Sequence, residues 1–128
     1  MDDEQFFADV ESRADLDSRE QVVAVAESVL DVLGERLDTT DALADELPEN
    51  LAAALDGAGQ EAAGFTPEEF VDWVREAERE KTTDVDVDRA RLHTQAVLES
   101  LAQSVEGTTW NDVRGQLPDE YERLYRAG

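Results

Sequence analysis

Apolar residues in this chain recur every three or four positions, the interval at which side chains stack on one face of an α-helix. Phe6, Phe7 and Val10 predict a short amphipathic helix over about residues 4–11. Val22, Val25, Ala26, Val29, Leu30, Leu33 and Leu37 then mark a long helix that Asp17 or Ser18 can cap, and Ser18 with Gln21 three residues on fits a capping box. After a polar turn over 38–41, Leu43 and Leu47 predict a short helix that ends before Pro48, because proline disfavours helical geometry in the residue before it. Pro48 suits the first turn of the next helix, where its missing N–H is no loss, and Leu51 and Leu55 form that helix's apolar side.

The stretch "DGAGQEAAG" interrupts the periodicity with three glycines and reads as a linker. Beyond it, "FTPEEF" is a helix start with Thr66 as cap, Pro67 in the first position and Glu69 reaching back; Phe70, Trp73, Val74 and Ala77 are expected on the buried side. A second long helix is predicted from about Asp88 to Val105, with Ala90, Thr94, Val97, Leu98, Leu101 and Val105 inward. Gly107 is expected to end it and Thr109 to cap the next segment, where Trp110, Val113, Leu117, Pro118, Tyr121, Leu124 and Tyr125 follow.

The two halves read alike. "FFADV" aligns with "FVDWV", "VLDVLGERL" with "VLESLAQSV", and "TTDALADELPENLAAAL" with "TTWNDVRGQLPDEYERL". The expectation is therefore an all-α fold, a helical bundle of two tandem pseudo-repeats of about four helices each. They would share one domain over 1–128, with repeat one at about 3–56, a linker at about 56–64 and repeat two at about 65–127. Leu-Pro occurs at 47–48 and again at 117–118. It reads as a joint between helices, with the leucine inward and the proline opening the next helix.

Charge alters this picture at the surface. The chain has 33 acidic residues against 11 basic ones, a formal net charge of −22, and self-repulsion of that size opposes compaction until salt or bound cations screen it. Lys81 is the only lysine among the basic residues. This composition resembles that of proteins from salt-adapted archaea, in which surface carboxylates hold water and inorganic cations. With 41% hydrophobic residues at regular spacing, an acidic disordered protein is not expected. Absence of cysteine excludes disulfides, thiolate catalysis and cysteine metal sites. No apolar run reaches the roughly 20 residues that span a bilayer, and the N-terminus lacks a signal-peptide pattern, so a cytoplasmic protein with no membrane association is expected.

Together, "LDSREQVVAVAESVLDVLGERL", "LADELP", "FTPEEFVDWV", "AVLESLAQSV" and "VRGQLPDEYERLY" resemble the bacterial and archaeal family called domain of unknown function 2267. The resemblance covers nearly the whole chain and implies a helical tandem-repeat domain. It implies no catalytic residue, ligand or partner. "DGAGQEAAG" departs from the family, in which an aromatic-containing connector is frequent.

Candidate chemistry is sparse. Asp84, Asp86 and Asp88 alternate as in the first half of a calcium loop, but Arg89 stands where the loop needs glycine and Gln95 where it needs a bidentate glutamate. Capping of the following helix by Asp86 or Asp88 is the simpler role. His93, the only histidine, falls at the border of its helix's apolar stripe, and no glycine-framed nucleophile turn accompanies it. Arg75, Arg79, Lys81, Arg89 and Arg91 cluster, yet interleaved acids leave no positive excess for a nucleic acid. Leu92 and Ala96 fall off the main stripe and, with Trp110, Tyr121 and Tyr125, are candidates for an interaction surface. The expected function is a non-enzymatic protein-interaction or regulatory module, self-association included. The alternative is a small-molecule or divalent-cation-binding protein. No cofactor motif is present.

Overall fold

The structure, a computed structural model, describes residues 3–16, 18–36, 41–47, 49–56, 66–81, 86–117 and 119–125. Among them are α1 (Asp3–Ala14), α2 (Arg19–Arg36), α3 (Asp41–Glu46), α4 (Glu49–Asp56), α5 (Pro67–Lys81), α6 (Val87–Ser104), α7 (Gly107–Gln116), a 3-10 turn (Asp119–Tyr121) and α8 (Glu122–Tyr125), with no strand. Leu37, Pro48, Asp84, Pro118 and the expected linker from residue 57 onward lie outside the described residues.

Local side chains set several helix starts. Ser18 Oγ accepts the Gln21 N–H at 3.2 Å. At α5 the capping box is complete: the Thr66 N–H donates to Glu69 Oε1 at 2.9 Å, and the Glu69 N–H donates to Thr66 Oγ1 at 3.2 Å. Asp86 Oδ1 accepts the Arg89 N–H at 2.8 Å, so Asp86 caps α6. Helix α1 runs a turn beyond the expected residue 11 and stops at Asp15, which takes the left-handed conformation (φ 54°). The Leu16 N–H then reaches back to the Glu11 carbonyl at 3.1 Å, a Schellman closure with aspartate in the place usually held by glycine.

Helix α6 lies at the centre, packed against α1, α2, α5, α7 and α8, while α2 packs against α1, α4, α5 and α6. Phe6, Val29, Leu30, Leu33, Phe70, Val74, Val97, Leu98 and Leu101 are fully enclosed between them. Leu47 and Leu117 are both buried, and each N–H donates to the carbonyl three residues back, on Ala44 and Arg114 respectively. The joint therefore buries its leucine as expected. Helix α7 differs from expectation: it begins at Gly107 with Glu106 at the cap position, and Thr109 is buried inside the first turn.

That first turn receives its acceptor from elsewhere in the chain. Glu46, at the end of α3, accepts a hydrogen bond from the Thr109 hydroxyl and, at 2.8 Å, the Glu106 N–H; the first and then the second hold its carboxyl below the ordinary range against a weaker opposing effect of burial. A second polar link joins α1 to α6. Arg13 pairs with Asp9 at 2.9 Å and Glu99 at 3.3 Å, and the Ser100 hydroxyl donates to Asp9 at 2.7 Å. Burial pushes the Asp9 carboxyl up, but the bonds from Ser100 and Arg13 and the Arg13 charge outweigh it, so the net direction is down.

Both carboxyls are depressed in the folded state. They therefore stabilise the fold above the ordinary carboxylate range, and that contribution is lost as pH falls through their folded values. Thermal melts at fixed molar KCl are expected to show Tm falling below about pH 4, with a shallower fall in the Asp9→Asn/Glu46→Gln variant. Parallel curves for the two proteins would exclude these groups as the cause.

Candidate functional site

Two features of α5 stand out, one inside the bundle and one on its surface. Inside, Glu78 on α5 and His93 on α6 are each 1% exposed, and His93 Nδ1 lies 2.8 and 3.0 Å from the two carboxylate oxygens. A hydrogen shared between Nδ1 and the Glu78 carboxyl group joins the two side chains. The opposite ring nitrogen, Nε2, is buried with no hydrogen-bond partner among the described residues. The expectation of a boundary histidine is thus corrected. Helix α6 has neighbours on several sides, so positions at the edge of its stripe are enclosed as fully as those at its centre.

In the sequence alignment that pairs Phe6 with Phe70 and Leu30 with Leu98, Glu78 falls opposite Ala14 and His93 opposite Val25. Both of those first-half residues are buried apolar side chains. A readable signal was present: an acid on the apolar face of α5 and the only histidine beside the apolar face of α6.

On the surface, α2 and α5 flank an open cleft of about 450 Å³ lined by Asp31, Val32, Asp72, Trp73, Glu76, Ala77 and Glu80. Trp73 was expected on the buried side of α5 but is 52% exposed. It sits at the edge of the arc made by Phe70, Val74 and Ala77, where the covering helices no longer reach it. Asp72, Glu76 and Glu80 succeed one another at four-residue steps, about 6 Å apart along the helix axis. Arg79 lies at ion-pair distance from one of the cleft's carboxylates, 3.9 Å from Glu76. A smaller cleft of about 150 Å³ is lined by Pro67, Glu68, Val71, Arg91, Gln95 and Leu124. Neither cleft is lined by Glu78 or His93.

The other candidates divide clearly. Asp86 is engaged as a cap, Asp88 is exposed in the first turn of α6, and Asp84 is outside the described residues. Among the described residues no three His, Asp or Glu side chains are grouped to hold a metal ion. Leu92 is 37% exposed, as an interaction surface requires. Ala96, Trp110 and Tyr121 are buried and belong to the core, which corrects their candidacy: α6 is covered on the face carrying Ala96, and Tyr121 stands edge-on to Phe70 at 5.9 Å. The side chain of Tyr125 lies outside the described residues.

No described helix is long and apolar enough to cross a membrane. Comparison with curated proteins gives no match. A family model described as "Uncharacterized conserved protein (DUF2267)" matches residues 3–124.

Proposed function

Since the chain belongs to the DUF2267 family, whose description names no reaction, its role has to be read from its own surface, and we propose a non-enzymatic protein-interaction module that docks a partner in the α2–α5 cleft. The half-exposed Trp73 carries this reading. Exposed large apolar side chains among the described residues are few, and the Trp73 indole stands in a cleft. Exposed tryptophans flanked by an apolar floor and a polar rim are typical anchors of protein recognition.

On this reading the scaffold is an internal duplication. Support comes from reciprocal packing: α1 rests on α6 as α5 rests on α2, and α4 packs on α2 as α8 packs on α6. The acidic coat is salt adaptation, supported by the excess of 33 acids over 11 bases with a single lysine, and the working environment is a salt-rich cytoplasm.

Purification of the tagged protein from its own cells at molar KCl, with light scattering and mass spectrometry, tests the proposal. A stoichiometric protein companion is expected with the native chain and is expected to be lost with Trp73→Ala, whose circular dichroism should be unchanged. A companion that persists with Trp73→Ala would move docking to another face. A native chain that elutes without any companion, as a monomer, would remove the interaction reading.

A further inference from the structure

The α2–α5 cleft has a charge pattern as well as a shape. Asp72, Glu76 and Glu80 follow one another over two turns of α5, a span of about 12 Å, and Asp31 faces them from α2. Between these carboxylates lie Val32, Trp73 and Ala77, so acidic groups alternate with apolar surface. A divalent ion does not suit such a line, since no three of the described carboxylates gather around one point. A small organic cation could satisfy one carboxylate and the indole, but it would leave the rest of the span unmatched.

A second helix matches both features. Side chains four residues apart on a helix are also about 6 Å apart along its axis, so cations recurring each turn stay in step with Asp72, Glu76 and Glu80. The aliphatic stems of Arg and Lys, together with apolar neighbours, then cover Trp73, Val32 and Ala77. A guanidinium can also lie over the indole face. Two neighbouring helices offer a groove into which a third packs by its ridges.

We infer that the cleft takes an amphipathic helix of a partner protein whose Arg or Lys residues recur at one-turn intervals, paired with Asp72, Glu76 and Glu80 and closed over Trp73. This rests on the proposal that the cleft is the docking site and adds the chemistry of the partner.

The net charge of −22 attracts any cationic peptide, so the test must separate local recognition from the general field. The probe is a synthetic helical peptide carrying Arg at i, i+4 and i+8 with leucines between them. It is compared with the same peptide carrying Gln in place of Arg, with a scrambled peptide of equal charge, and with a linear polyamine. Binding is read by fluorescence anisotropy of the labelled peptides, with the polyamine as competitor, at one fixed KCl concentration. The patterned Arg peptide is expected to bind best. The Asp72→Asn/Glu76→Gln/Glu80→Gln variant is expected to weaken it about tenfold, the combined size of three exposed ion pairs. The same loss of charge at Asp112→Asn/Asp119→Asn/Glu120→Gln, all exposed and outside the cleft, is expected to have little effect.

Equal binding of the scrambled peptide, equal weakening in the two triple variants, or displacement by the polyamine at equal charge concentration would overturn the inference. Equal binding of the Gln and Arg peptides, both lost in Trp73→Ala, would overturn the charge assignment and leave the docking site standing. Arg-peptide binding indifferent to Trp73→Ala would remove the docking site itself. Absence of binding by every peptide also overturns the inference, while the companion search still decides the docking proposal.

Discussion

Glu78→Ala is expected to destabilise the bundle by about 3–5 kcal/mol, the scale for breaking a buried polar pair by removing one partner. The imidazole of His93 is enclosed, and its Nδ1 has both Glu78 oxygens within 3.0 Å. Without the Glu78 carboxyl group Nδ1 loses its hydrogen-bond partner in an enclosed site, and Nε2 already lacks a partner among the described residues. The double variant Glu78→Ala/His93→Val places here the residue types that Ala14 and Val25 supply in the first half. It is expected to recover at least half of the loss, because apolar replacement of both members of a buried pair is often neutral. Guanidinium midpoints of the two single and the double variants give the coupling between the residues. A double variant as unstable as Glu78→Ala alone would show that lost volume, rather than a stranded polar group, dominates.

Phe70→Ala is the second large effect expected, again about 3–5 kcal/mol, the usual range for emptying a buried phenylalanine site. Phe70 is fully enclosed on α5 and meets Tyr121 edge-on, with ring centroids 5.9 Å apart at 81°. Tyr121 closes the 3-10 turn that leads into α8, so the ring contact ties α5 to the C-terminal elements. Since a domain of ordinary stability has only about 5–15 kcal/mol in total, the variant should unfold at much lower guanidinium concentration. Hydrogen exchange in α8 is expected to rise more than in α2. A uniform rise across all helices would mean that the contact contributes to general core packing and does not specifically secure the C-terminus.

What the sequence revealed and what it concealed separate by distance along the chain. The box formed by Thr66 and Glu69 was legible because both partners lie within one turn, and Ser18 and Asp86 were legible for the same reason. Helical spacing also placed Leu30, Leu33, Leu98 and Leu101 in the core. The same spacing misplaced Trp73, because a periodic stripe gives the direction of the buried arc but not its width, which depends on where neighbouring helices end. The opposite error occurred on α6. Its surroundings on several sides enclose Ala96, Ser100 and His93, which one stripe cannot foretell. The partners of the candidate site are distant as well: Glu78 and His93 belong to different helices, and the cleft joins Asp31 to Glu80.

Glu46 has a consequence for the order in which structure can form. Helix α7 spans 10 residues, too few to persist alone in water, and its cap position, Glu106, makes no side-chain bond of its own. The acceptor that meets the Glu106 N–H lies 60 residues earlier, at the end of α3. Helix α7 is therefore a conditional element, nucleated by a surface that exists only after α3 has been brought alongside it. The amide of Glu106 is accordingly a natural clock for assembly, since its protection from exchange dates the moment when the end of α3 meets the start of α7.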